Sequence, residues 1–208
     1  MSEPGLRERK KQQTRKSISD MATWLFMTRG FDTVTVAEVA SAAGVSTKTV
    51  FNYFPRKEDL FFDRMPEAVE MISRAVRERP EGTAPLTAIR ELVLRLLGER
   101  HPLAGVGHFR EFWQVVIDSP ALQARVRESV QELEELVTEL FAEATGTAPD
   151  DPWCRMTAAL TVTVYRTAYL TATRRIMAGD HPDAVAVDYA ALLSRAFDAL
   201  AGSLTARG

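Results

Sequence analysis

Hydrophobic positions recur at helical spacing along nearly the whole chain. Ile18, Met21, Ala22, Leu25 and Phe26 follow an i, i+3, i+4, i+7, i+8 pattern, and Gly30 supplies a stop. A second segment opens on Thr35, with Glu38 three residues on as a capping-box partner. Its apolar face is Val36, Val39, Ala40 and Ala43, and Gly44 ends it. Ser46 then caps a third, short helix, so a Gly-Val-Ser link joins two helices in the manner of a helix-turn-helix. A fourth helix is predicted from Lys57 through Leu60 and Phe61 until Pro66 breaks or bends it. Further helices are predicted near 67–79, 84–99, 106–117, 119–145, 152–178 and 184–203, with Pro or Gly in each interruption. The β-branched runs are short: Thr-Val-Thr-Val at 33–36, and again at 161–164 inside a helical pattern. The expected fold class is all-α.

Taking Thr47 as the first residue of the third helix and stepping about 100° per residue puts Val50, Phe51 and Phe54 on one side. That side is predicted to dock on the first two helices. Lys48, Thr49, Asn52 and Tyr53 fall on the other. A cation, a hydroxyl, an amide and a phenol are groups that hydrogen-bond base edges and phosphate oxygens in a groove about one helix wide. The same pattern fits a solvated face on a small bundle. The helix is barely two turns long and needs its neighbours to hold it.

Charge changes the picture more than composition does. The 208 residues are 46% hydrophobic and 26% charged, an ordinary globular balance. The net charge of −2 hides an asymmetry: residues 1–62 carry +3 and the rest −5. Six basic residues lie between Arg7 and Lys16, a short basic N-terminal arm of the kind that meets phosphate, or a solubilising end. The shift near 62 sets the expected boundary between a domain at 1–62 and one at 63–208. No apolar run reaches the roughly 18 residues of a membrane span, and the polar start lacks a secretory signal, so a cytoplasmic location is expected. The single Cys154 sits in apolar context and reads as a small buried side chain. His101, His108 and His181 have no partner at metal-ligand spacing, and no nucleophile elbow, P-loop or dinucleotide fingerprint occurs. No metal, cofactor or catalytic role is assigned.

Residues 18–60 resemble the DNA-binding domain of the TetR family of transcriptional regulators. The matching elements are Ile18, Ala22, Phe26 and Gly30-Phe31, then TVTVAEVA at 33–40, AGVS at 43–46, TVFNYF at 49–54 and KEDL at 57–60. The resemblance implies that Thr35, Tyr53 and Lys57 touch phosphates. It implies that Ser46, Thr47, Lys48, Thr49 and Asn52 form the groove-facing set. Two positions depart from the family's habit. Phe51 stands where a tyrosine usually reaches the DNA backbone, and Arg56 stands where a capping residue is common. No DNA contact is carried onto Phe51.

The resemblance also implies that the larger domain binds a ligand and pairs two copies through its last two helices. The homodimer would read a palindromic operator, as a repressor released by a small, mostly apolar effector. Candidate ligand contacts are Phe109, Phe112, Trp113 and Val116 on one predicted face, with Tyr165, Arg166 and Tyr169 on a later helix; core packing is the alternative for each. The ligand region loosely resembles regulators of this family that bind acyl-CoA-like molecules.

Overall fold

The computed structural model describes residues 5–104, 109–148 and 150–205. Among them lie α1 (Leu6–Arg29), α2 (Val36–Ala42), α3 (Thr47–Tyr53), α4 (Lys57–Phe61), α5 (Met65–Arg77), α6 (Pro85–Gly98), α7 (Phe109–Asp118), α8 (Pro120–Thr145), α9 (Pro152–Met177) and α10 (Pro182–Thr205). A single 3-10 turn spans Pro102–Ala104, and no strand occurs among the described residues. His108 and the expected start of a helix at 106 lie outside them.

Two compact units are present. One holds residues 1–65 and 111–125, the other 66–110 and 126–208. The compositional boundary expected near 62 falls close to the break after Met65. The chain nevertheless returns to the first unit at 111–125, which no composition shift marks.

In the first unit the basic run is no arm: it forms the opening turns of α1, which starts at Leu6. Leu, Arg, Glu, Lys and Gln are strong helix formers, and no Gly or Pro interrupts them after Gly5. Lys16 adds an i,i+4 contact to Asp20 at 2.6 Å. Gly30 ends α1 at φ +84°, a conformation costly for a residue with a Cβ, and its N–H reaches Phe26 O at 2.9 Å. Ile18, Ala22, Phe26, Val34, Val39, Val50 and Leu60 have no exposed surface. Each large member contributes about 1.5–3 kcal/mol by leaving water.

Residues 111–125 close this core. The Phe112 ring stacks on Phe61 at 4.6 Å between centroids and 14° between planes. Ser119 Oγ donates to Asp32 Oδ1 at 2.7 Å, and Arg125 Nε meets Asp59 Oδ1 at 3.3 Å. Pro66 does not bend α4. That helix ends at Phe61, and Pro66 sits in the first turn of α5, where a missing N–H leaves no bond unmade.

In the second unit α10 packs on α9 and α6. Leu193 and Phe197 of α10 are buried with Leu92, Leu140 and Val162. Asp151 caps α9 by accepting from the N–H groups of Trp153 and Cys154, both at 2.9 Å. Cys154 is buried, as expected, with Sγ donating to Thr138 O. No helix among the described residues is long and apolar enough to cross a membrane.

Candidate nucleic-acid interface

The turn-and-helix pair is fixed by local chemistry. Thr35 caps α2 in the expected capping box: its N–H and its hydroxyl each donate to Glu38 Oε2 at 2.8 Å, and its oxygen accepts from Glu38 N at 3.2 Å. Arg29 Nη2 holds the other oxygen of Glu38 at 2.7 Å. The Thr35 backbone N–H, and after it Arg29, hold the Glu38 carboxyl at about 2, well below its ordinary value. Gly44 turns the chain at φ +67°, and Val45 N–H reaches Ala40 O at 2.9 Å. Ser46 caps α3 by accepting from Thr49 N at 3.1 Å, and the two hydroxyls lie 2.8 Å apart.

One side of α3 is core: Val50 is fully buried and Phe54 is 1% exposed. On the other side Lys48 and Asn52 are exposed, while Thr49 and Tyr53 are half-buried; Thr47, the first residue of the helix, is exposed as well. Phe51 is the exception to the expected docking side. Its ring is 47% exposed, because Val50 and Phe54 already fill the contact with α1 and α2 and Phe51 lies about 100° round the helix from Val50.

Two cations, Arg15 of the basic run and Lys57, which the resemblance implies as a phosphate contact, have internal partners. Arg15 Nη1 donates to Tyr53 O at 3.0 Å and Nη2 to Asp63 O at 2.9 Å, with the guanidinium 4.3 Å above the Phe54 ring. It ties α1 to the end of α3, which the count of basic residues did not reveal. Nearby, Ser19 Oγ donates to the Asp63 carboxylate. Lys57 Nζ donates to Phe31 O at 2.6 Å and lies 4.2 Å from the Phe31 ring centroid; burial pulls its pKa down. At α4 the Arg56 side chain gives no cap, and its N–H is taken by Asp59 Oδ2 at 3.2 Å.

The aromatic candidates for a ligand site divide between the two units. Phe112, Trp113 and Val116 belong to the first unit, where Trp113 and Val116 are buried and Phe112 stacks on Phe61. The side chain of Phe109 lies outside the described residues. Tyr165 and Tyr169 stack at 5.8 Å in the second unit, and Arg166 is exposed. Tyr189 of α10 joins the two tyrosines. Its hydroxyl is buried without a partner of hydrogen-bonding geometry, although the Tyr165 phenol lies close enough to couple to it. Burial pushes Tyr165 up to about 12 and Tyr189 higher still, so both phenols stay protonated donors at neutral pH. The sequence signal for Tyr189 was its place in the apolar stripe Val185, Tyr189, Leu193, Phe197.

Comparisons with known proteins agree with this arrangement. Residues 18–63 match the family model described as bacterial regulatory proteins, tetR family, and residues 83–205 match the MftR C-terminal domain. The HTH-type transcriptional regulator TcmR of Streptomyces glaucescens is 29% identical over 153 residues, 71% of this chain and 67% of that protein. NalD of Pseudomonas aeruginosa, the secondary repressor of the MexAB-OprM multidrug efflux pump, shares the fold at a TM-score of 0.55 and 21% identity, over 89% of this chain and 97% of its own. FadR of Thermus thermophilus, a transcriptional repressor solved with lauroyl-CoA, aligns at a TM-score of 0.53 and 25% identity, over 89% and 94%. With the helix-turn-helix at its N-terminal end and an MftR-type domain over more than half its length, the chain belongs to the TetR family of transcriptional regulators.

Proposed function

We propose that the protein is a homodimeric repressor in the cytoplasm that binds a palindromic operator and leaves it when a small, mostly apolar ligand binds. The observation that carries the reading is the two-sidedness of α3: a buried seam at Val50 and Phe54, with Lys48 and Asn52 exposed opposite and Thr47 exposed at the first turn. In a major groove these three meet base edges, with Ser46 and Thr49 at the mouth of the helix. Thr35 before α3, Tyr53 at its last turn and Lys57 after it serve as phosphate contacts. An ammonium carries three N–H donors, so Lys57 can keep Phe31 O and still meet a phosphate.

Dimerisation is supported by an exposed apolar stripe at i, i+3, i+7 on α9: Trp153, Met156 and Leu160 are each 40–42% exposed. Two copies on a two-fold axis would set their reading helices about one DNA turn apart. For the ligand, the stacked Tyr165 and Tyr169 with Tyr189 offer an aromatic wall and phenol donors, and Arg166 offers a cation at its edge. The likeness to FadR in complex with lauroyl-CoA favours an acyl-CoA-like class. Phe112, Trp113 and Val116, the other candidates, pack in the first unit. The ligand shifts the DNA-binding equilibrium only by its differential affinity for two conformers.

The test is to sequence DNA that co-purifies with the protein and to measure its mass in solution. An inverted repeat and a mass of two chains are expected. A single chain bound to fragments without symmetry contradicts the dimeric reading.

A further inference from the structure

Phe51 is a large aromatic side chain with nearly half its surface in water, on a helix whose other exposed side chains are polar. Among the described residues it has no ring partner, and the core beneath it is complete without it. At about 100° per residue it lies about 40° from Thr47 and 60° from Lys48, on the margin of the exposed face. Its ring has no hydrogen-bonding group. The apolar atom a base pair offers at the floor of the major groove is the thymine 5-methyl.

We propose that Phe51 is a specificity-determining residue whose exposed ring packs on a thymine methyl beside the bases met by Thr47 and Lys48. The inference rests on α3 being the reading helix. It makes this helix, which lacks arginine, read part of its site through apolar contact rather than hydrogen bonds.

The full-length protein is titrated by fluorescence anisotropy against a duplex carrying its recovered sequence, with thymines replaced one at a time by deoxyuridine. Removing the methyl at one position should weaken wild-type binding about four-fold, the loss of one buried methyl. Phe51→Ala should weaken binding to the thymine duplex by at least as much and lose nothing further on deoxyuridine at that position. Phe51→Leu should keep part of the methyl preference. Because just over half of Phe51 is buried, Phe51→Ala should melt below the wild type and Phe51→Leu close to it, and titration below both melting transitions separates lost contact from lost fold. Indifference of the wild type to deoxyuridine everywhere overturns the proposal. So does Phe51→Ala losing the same further factor as wild type at that position. A wild-type protein that binds no duplex overturns the reading-helix assignment together with this proposal, whereas binding without methyl dependence overturns this one alone.

Discussion

Replacing Arg15 by methionine should loosen α3 without touching its exposed face. The guanidinium makes two charge-assisted bonds, to Tyr53 O and Asp63 O at 3.0 and 2.9 Å, and lies 4.3 Å over the Phe54 ring. Hydrogen bonds to a charged group contribute about 1.5–3 kcal/mol each where water is excluded. Arg15 is only part-buried, so water regains some of both carbonyls and roughly 2 kcal/mol for the pair is the better figure. The ring contact adds about 0.5 kcal/mol at such a site. A loss of about 2–3 kcal/mol lowers the melting temperature of a chain this size by roughly 5–10 °C. Methionine keeps the aliphatic packing, so the loss isolates the charge and its bonds. Thermal melting, with hydrogen exchange across α1 and α3, reads the effect and localises it. α3 amides should exchange faster in the variant while those of α9 and α10 stay unchanged. A melting shift below about 2 °C with α3 protection intact would refute the role given to Arg15.

Glu38 predicts a pH dependence. Its folded pKa lies at about 2, below the ordinary 4.5, so its stabilisation of the α2 start is complete above about 4.5 and fades as pH falls toward 2. Glu38→Gln should flatten the fall in α2 protection between pH 5 and pH 3, and equal slopes in both proteins would count against the capping role. Ser46→Ala removes the hydroxyl that caps α3 and should lower stability by about 1 kcal/mol in denaturant titration, while Ser46→Asp should restore most of it. Tyr189→Phe deletes a buried hydroxyl without a well-placed partner and should leave the melting temperature unchanged or raised; a clear drop would mean that the hydroxyl is bonded after all.

The helices were legible because their signals are local. Thr35 with Glu38, Ser46 before Thr47 and Gly after α1 and α2 fix helix ends through groups a few residues apart. What escaped depends on contacts distant in sequence. Arg15 reaches Tyr53 and Asp63 across 38 and 48 positions, which charge counting over the basic run does not show. Clustered charge marks the basic stretch as an arm or a solubilising end, yet helix propensity and the Lys16–Asp20 pair suffice to extend α1 through it. A wheel ranks Phe51 with Val50 and Phe54 on the docking side, but those two large side chains are the buried ones and Phe51 is 47% exposed. On α7, Trp113 and Val116 are buried and Phe112 is half-buried, in line with the spacing. The partner of Phe112, Phe61 of α4, lies 51 positions away, and periodicity names no partner.

The most direct measurement is the affinity of the pure protein for its recovered DNA as salt is raised, alongside the Lys48→Ala/Asn52→Ala double variant. Both side chains are exposed, so the variant should fold normally. Wild-type affinity should fall steeply and linearly in log–log form as phosphate contacts release counterions. The variant should lose its preference for the recovered sequence over random DNA while keeping most of the salt slope, which the phosphate contacts set. Unchanged preference in the variant, or no wild-type binding at low salt, would contradict α3 as the element that reads DNA.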